Sequence, residues 1–148
     1  MSQLAYNKTA AFNHEISEKY TAGIVLIGHE AKSIRQGRFD LTGSRVLVRN
    51  GELWLTGASI PSFQPNNAPA EYDATRSRKL LLKETEILEL INKLNAGLTL
   101  LPLRAYTERG FIKVELGLGR SRKKHDKREA IKKRDVERDL RRMKPSEH

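Results

Sequence analysis

The feature that most constrains the fold is an Asn-Gly pair between two apolar-rich runs, in the segment RVLVRNGELWLTGASI (45–60). Asn50 and Gly51 tolerate the positive φ angles of a type I′ turn, whose twist matches that of two paired antiparallel strands. The segment therefore predicts a β-hairpin.

A second hairpin is predicted over 98–119, as strands at 98–106 and 111–119 around a turn at 107–110. In its second strand, apolar residues alternate with polar or small ones, which is typical of a sheet with one buried face. The residues expected on that face are Ile112, Val114, Leu116 and Leu118. Gly117 and Gly119 are interpreted as marking the exit from the sheet.

Two more strands and two helices are predicted from composition and periodicity. An apolar, β-branched run at 21–28 predicts a buried strand, and 79–82 predicts a shorter one. Good helix formers followed by Gly37 predict one or two helical turns after residue 28. A longer helix is predicted at 83–97, where apolar residues recur at helical spacing.

Two segments are predicted to lack regular structure. Residues 1–19 are mixed and polar, and we interpret them as a loosely attached arm. Residues 61–78 hold three of the five prolines, which block both helix and central strand. A loop of that length in a compact domain is usually functional or disordered.

Together these elements predict a mainly β fold, with at least five short strands in a small closed barrel of the oligonucleotide-binding type and one to three short helices. Periodicity alone does not distinguish this barrel from an α+β sheet. The barrel is assigned to 1–119, and a basic C-terminal tail is assigned to 120–148.

The charge is concentrated in that tail. The chain carries a net charge of +10, of which +7 falls in 120–148 and +3 in 1–119. A net charge of this sign predicts a polyanion partner, nucleic acid before acidic membrane.

The tail itself is predicted to be disordered when free and helical when bound. Its like-charge pairs offset its opposite-charge pairs at helical spacing, so an isolated helix would be marginal. Its apolar stripe is narrow and lacks the aromatic residues of a membrane-surface helix. An RNA-lined environment fits it better. The remaining alternative is a solvated tail that serves only solubility.

Little in the sequence indicates catalysis. The absence of cysteine excludes disulfides, thiolate zinc sites and a cysteine nucleophile, and it suits the cytoplasm. None of the four histidines pairs with another at a metal-ligand spacing. No apolar run approaches the roughly 18 residues of a membrane span. The expectation is a cytoplasmic protein without enzymatic activity, cofactor, metal or membrane attachment.

A polar group follows the strand predicted at 21–28. It is either a solvated half-helix or an RNA contact, in which Glu30 accepts hydrogen bonds from base edges or orients a cation while Lys32 and Arg35 bind phosphate. The basic cluster that ends the proline-rich loop is ambiguous in the same way; its members are Arg76, Arg78 and Lys79.

Six motifs occur in the order and spacing of one family. They are GHEAKSIR (28–35), NGELWL (50–55), RKLLL (78–82), GLTLLPL (97–103), KVELGLG (113–119) and KKHDKRE (123–129). The chain resembles the bacterial SsrA-binding protein family, also called small protein B, from about Asn7 to Met143. It departs from the family pattern at Thr9, at 12–14 and at Val136.

The resemblance implies an oligonucleotide-binding-like barrel that binds the tRNA-like domain of transfer-messenger RNA and delivers it to stalled 70S ribosomes in trans-translation. It further implies elongation factor Tu in the delivery complex, and we expect a monomer. The residues expected to bind RNA in the body, from the motifs and the basic cluster, are Asn7, Lys8, Glu30, Lys32, Ser33, Arg35, Arg76, Arg78 and Lys79.

The family's tail becomes helical in the empty mRNA channel of the small subunit, where His125 would lie near the decoding centre. The residues expected to meet the ribosome are Lys123, Lys124, His125, Asp126, Lys127, Arg128, Lys132, Lys133 and Arg134. Two rival hypotheses remain: a ribosomal protein-like rRNA binder with a basic extension, and a nuclease that uses Glu30 and other carboxylates with a metal.

Overall fold

The computed structural model describes residues 2–62 and 72–122. The middle of the proline-rich loop and every predicted tail residue from Lys123 to Arg134 lie outside these ranges. In chain order the elements are β1 (Ser2–Tyr6), α1 (Lys8–Asn13), β2 (His14–Ile24), α2 (Gly28–Arg35), β3 (Arg45–Arg49), β4 (Glu52–Thr56), β5 (Arg78–Leu81), α3 (Glu84–Asn95), β6 (Thr99–Glu108) and β7 (Phe111–Ser121).

The seven strands form one antiparallel sheet in the order β1-β6-β7-β2-β5-β4-β3, which confirms the mainly β prediction. The prediction of a closed barrel is wrong, because no ladder joins the edge strands β1 and β3 within the described ranges. The reason lies at β6, whose two edges are already occupied by β1 and β7. Strand β3 comes close to β6 without pairing with it, so the sheet bends over its core but stays open.

Both predicted hairpins are present. Asn50 and Gly51 have φ angles of 53° and 72°, as a type I′ turn requires, and Arg49 pairs with Glu52. The second turn is tighter than the predicted 107–110 segment. Its two central residues are Arg109 and Gly110, with φ angles of 51° and 81°. Both strands of this hairpin are therefore longer than the sequence indicated.

The core lies on the inner face of the bent sheet, where α2 and α3 cover it with Ile34 and Leu90. The alternation in β7 is confirmed, since its four predicted core residues are buried. The strand predicted at 21–28 is displaced: β2 ends at Ile24, and the next three residues lead into α2. The helix predicted at 83–97 is confirmed as α3.

The interpretation of 1–19 as a loose arm is wrong. Strand β1 pairs with β6, helix α1 follows it, and β2 then pairs with β7 along most of its length. Ala10 of α1 packs with Leu101 and Leu103 on the outer face of the sheet, opposite the main core. Residues 1–19 look polar in the sequence because each of their elements buries only a narrow strip of side chains.

Gly117 and Gly119 lie inside β7, which continues to Ser121. A Cβ at Gly119 would collide with the carbonyl oxygen of Glu15, and one at Gly117 would lie 2.8 Å from Leu103 Cδ1. These glycines therefore permit the close approach of β2 and of the Leu103 side chain. The division into a body at 1–119 and a tail remains a prediction.

Candidate nucleic-acid interface

Helix α2 divides the polar group of the GHEAKSIR motif into two sides. The Glu30 carboxylate accepts a hydrogen bond from the backbone N–H of Ile27 at 3.0 Å, which satisfies a free donor at the start of the helix. Glu30, Ser33 and Ile34 are buried, whereas Lys32 and Arg35 are exposed. Because a helix turns about 100° per residue, one short motif supplies both interior and surface groups.

The buried side of α2 is the centre of an ionic cluster, the Glu30 cluster, which consists of Glu30, Tyr72, Arg76 and Arg78. Glu30 Oε2 accepts hydrogen bonds from Arg78 Nη2 at 2.6 Å and from Arg78 Nε at 3.0 Å. It also accepts from Arg76 Nε at 3.1 Å, and the Tyr72 hydroxyl oxygen lies 3.1 Å from it. Glu30 Oε1 accepts from Arg76 Nη2. The side chains of Glu30 and Arg78 are 0% exposed.

The electrostatics keep this cluster charged. Burial opposes ionisation of Glu30, but hydrogen bonds from Arg76, from the Ile27 N–H and from Arg78 outweigh it and lower the pKa of the carboxyl to about 2. Burial and the neighbouring Glu30 charge raise the pKa of Tyr72. At neutral pH the cluster therefore holds one carboxylate, two guanidinium groups and a neutral phenol.

The same cluster fastens both flanks of the proline-rich loop to α2. On the near flank, Arg78 donates to the Ala58 carbonyl at 2.9 Å and Ser33 Oγ donates to the Pro61 carbonyl at 2.6 Å. On the far flank, Arg78 donates to the Ala74 carbonyl at 3.0 Å. The Tyr72 hydroxyl joins the two flanks by donating to the Ile60 carbonyl at 2.6 Å.

Four of the body residues predicted to bind RNA are therefore interior residues. Glu30, Ser33 and Arg78 fasten the flanks of the proline-rich loop to α2, as described above. Asn7 is also buried: its Nδ2 donates to the carbonyls of Leu41 and Pro102, each at 3.0 Å, and its Oδ1 caps α1. These side chains have their hydrogen-bonding groups occupied inside the protein, so the geometry favours a positioning role for them over direct contact.

The other predicted residues have accessible surface. Lys8 and Lys32 are exposed, and Arg76 keeps a third of its side chain accessible. Arg35 is exposed at the end of α2, where Nη2 donates to the Gly110 carbonyl at 2.9 Å. Lys79 is half-buried on β5 and pairs with Glu52 at 2.7 Å. The structure thus places Arg35 beside the β6–β7 turn and Lys79 on the neighbouring part of the sheet.

Sequence reasoning missed an exposed apolar row on the outer face of the sheet. The row consists of Phe111 at the start of β7, Val25 after β2 and Leu81 at the end of β5. A signal was present, because Phe111 falls on the same face as Lys113, opposite the buried Ile112 and Val114. An aromatic residue on the polar face of a strand was the available clue.

Two other site types find no support in residues 2–62 and 72–122. No group of three or more His, Cys, Asp or Glu side chains there could hold a metal ion. The Glu30 oxygens already accept from two arginines, which conflicts with the metal role that the nuclease hypothesis assigns to them. None of the helices in these ranges is long and apolar enough to cross a membrane.

The fold and the surface define a class: a small, strongly basic protein with one bent antiparallel sheet. Its helix α2 presents cations to the surface on one side and binds the flanks of the proline-rich loop on the other. The chain belongs to the SmpB protein family, whose family model matches residues 4–146.

Known relatives are similar along nearly the whole chain. The SsrA-binding protein of Synechococcus elongatus is 46% identical over 140 residues, which cover 94% of this chain and 91% of that protein. The SsrA-binding protein of Streptococcus mutans is 45% identical over 141 residues, covering 95% and 90%. A solved structure called "tmRNA-SmpB: a journey to the center of the bacterial ribosome" has 42% identity and a TM-score of 0.66, and the match covers 85% of this chain and 92% of that one.

Proposed function

We propose that this protein binds transfer-messenger RNA through its tRNA-like domain and delivers it to stalled ribosomes for trans-translation. The observation that carries the proposal is the family match over residues 4–146, together with relatives named SsrA-binding protein and a similar solved chain named for a tmRNA-SmpB complex in the bacterial ribosome. The net charge of +10 supports an RNA partner, because phosphate contacts provide much of the affinity for nucleic acid.

In the body, binding and positioning are carried by different residues. The exposed cations Lys8, Lys32 and Arg35, with the partly exposed Arg76 and Lys79, supply phosphate contacts. The buried residues Asn7, Glu30, Ser33 and Arg78 hold the elements that present those cations. Arg76 belongs to both groups, because its guanidinium binds Glu30 while part of its side chain stays accessible.

In the tail, a run of cations enters the empty mRNA channel, with His125 near the decoding centre. Its members are Lys123, Lys124, His125, Asp126, Lys127, Arg128, Lys132, Lys133 and Arg134. The protein acts as a cytoplasmic monomer without catalytic activity, and elongation factor Tu accompanies the complex.

The decisive experiment is affinity purification of the tagged protein from cells, followed by sequencing of the bound RNA. Transfer-messenger RNA should be strongly enriched, and the associated ribosomes should be stalled ones. Stoichiometric recovery with all translating ribosomes, without enrichment of transfer-messenger RNA, would instead support the ribosomal-protein hypothesis.

A truncation separates the two parts of the proposal. A chain ending at Arg122 keeps every described residue and removes the predicted ribosome contacts. It should retain most of its affinity for the isolated tRNA-like domain and lose the tagging of nascent peptides. Equal loss of both activities would contradict the assignment of RNA binding to the body and of the ribosome contact to the tail.

A further inference from the structure

The apolar row on the outer face is held together by strand register. Gly23 of β2 pairs with Lys113 of β7 and with Leu81 of β5, so these three residues lie side by side on one face. A Cβ at Gly23 would lie 3.4 Å from Leu81 Cβ, which shows that the Leu81 side chain leans over the glycine. Phe111 lies two residues before Lys113, Val25 lies two residues after Gly23, and both are exposed. The surface is therefore continuous across three strands.

Phe111 is the most exposed large apolar side chain in the described part of the body, at 68%. The β6–β7 turn does not require an aromatic residue there, since its conformation depends on the positive φ angles of Arg109 and Gly110. The neighbours Ile112 and Val114 point into the core and Phe111 points away from it. Its aromatic surface therefore has no structural use that the described residues explain.

Cations surround this ring. Lys113 Nζ lies 6.0 Å from the centre of the Phe111 ring, and Arg35 binds the carbonyl of Gly110, the residue just before Phe111. Lys79 lies two residues before Leu81 at the other end of the row, where it pairs with Glu52. One acid is close: Glu108 pairs with Phe111 across the hairpin and is exposed.

We propose that Phe111 is a stacking platform for an unstacked RNA base, with Arg35 and Lys113 binding the phosphates on either side of that base. This inference rests on the proposed function and identifies where on the body an RNA nucleotide binds. An exposed aromatic ring between cations is the arrangement by which proteins bind single-stranded or splayed nucleotides, because every base has a face that can stack. A protein partner is disfavoured, because the row is narrow and its borders carry the charge that suits phosphate.

The test uses the full-length protein and the labelled tRNA-like domain of transfer-messenger RNA, with dissociation constants measured by fluorescence anisotropy at one fixed salt concentration. Phe111→Ala should weaken binding by about 5- to 150-fold, the range expected for loss of one base–aromatic stack. Phe111→Trp should restore binding, because it provides a larger aromatic face. Phe111→Leu should not restore binding, because leucine keeps the apolar bulk but lacks an aromatic face.

Leu88→Ala is the matched control, because Leu88 is an exposed large apolar residue on α3 with 58% exposure. It should bind like the wild type. The Phe111→Trp variant also gives a direct signature, since stacking should quench the emission of the added tryptophan when RNA is titrated in. Circular dichroism and thermal unfolding of each variant check that the fold is intact.

The outcomes separate the two proposals. If the wild type binds and Phe111→Ala binds equally well, the stacking platform is refuted while the proposed function stands. If Phe111→Leu matches the wild type and Phe111→Ala does not, an apolar contact, as with a protein surface, replaces stacking. If the wild type does not bind this RNA, the proposed function fails and the platform fails with it.

Discussion

The two sides of helix α2 use charge in opposite ways. On the inner side, the Glu30 carboxylate lies at 0% exposure between two arginines and links residues that are 46 and 48 positions away in the chain. On the outer side, Arg35 is exposed and makes a hydrogen bond to the Gly110 carbonyl. One side fixes a loop, and the other presents a cation next to Phe111.

This difference teaches that a polar residue in a binding motif need not touch the ligand. Glu30 is an interior residue because Arg78, at the start of β5, reaches it through the protein. Breaking a buried ion pair by removing one partner is costly, because the other charge remains buried without compensation. Removing a surface cation costs little stability but removes a contact with RNA. Stability and RNA binding should therefore respond separately on the two sides.

The largest expected effect is on stability. Glu30→Ala should lower the free energy of unfolding by about 3–5 kcal/mol, because it leaves the buried Arg78 guanidinium unpaired. Urea or guanidinium denaturation measures this directly. Glu89→Ala is the control, since Glu89 also pairs with a cation, Lys93, at 2.8 Å but stands on the surface of α3. Glu89→Ala should lower the free energy of unfolding far less than Glu30→Ala. Equal losses would show that the burial of Glu30 does not contribute to stability.

The second effect is the pH dependence of stability. The folded-state pKa of Glu30, about 2, lies below the value of about 4.3 expected in the unfolded chain. The unfolded state therefore binds more protons, and the stabilisation of about 3 kcal/mol is complete above pH 5 and is lost as the pH falls toward 2. The stability difference between wild type and Glu30→Gln should shrink by about 1 kcal/mol per pH unit between pH 4 and 2.5. A constant difference would contradict the charged cluster.

The third effect separates contact from positioning by salt dependence. Arg35→Gln should reduce the slope of log affinity against log salt by about 1, because one phosphate contact is lost. Glu30→Gln should leave that slope unchanged even if it weakens binding. Glu30 affects RNA binding only indirectly, because it holds the flanks of the proline-rich loop. The measurement is the dissociation constant for the tRNA-like domain at several salt concentrations. A slope change in Glu30→Gln would indicate that the carboxylate influences phosphate contacts directly.

How much of the fold and of the site could be predicted from the sequence depends on whether the interactions join residues that are near or distant in the chain. Hairpin turns are local, and Asn50-Gly51 carries the positive φ angles that specify one. The alternation in β7 is local as well. The burial of Glu30 is not, because it requires Arg78 to arrive from a distant strand and to bring charge that neutralises the carboxylate. From the sequence alone, the basic cluster after the loop suggests a surface feature, because its buried partner Glu30 is not apparent.

The same distinction explains the open sheet and the missed platform. Strand β1 consists of five residues with weak patterning, yet it occupies the edge of β6 that a closed barrel would leave for β3. Phe111 was visible in the sequence as part of a strand, but its neighbours Arg35 and Leu81 come from other elements. Edges and surface patches are assembled from several segments, so no single window of sequence contains them.

The smallest expected effect concerns Glu108, the acid that pairs with Phe111 across the hairpin. If a base stacks on Phe111, the neighbouring phosphates are repelled by this carboxylate, so Glu108→Gln should tighten RNA binding. The gain should be about twofold, as for other exposed charge pairs, and it should disappear at high salt. Glu89→Gln removes the same charge from α3 and corrects for the change in net charge. Equal tightening by both variants would mean that the RNA feels only overall charge, and that Phe111 and its cations are not the place where it binds.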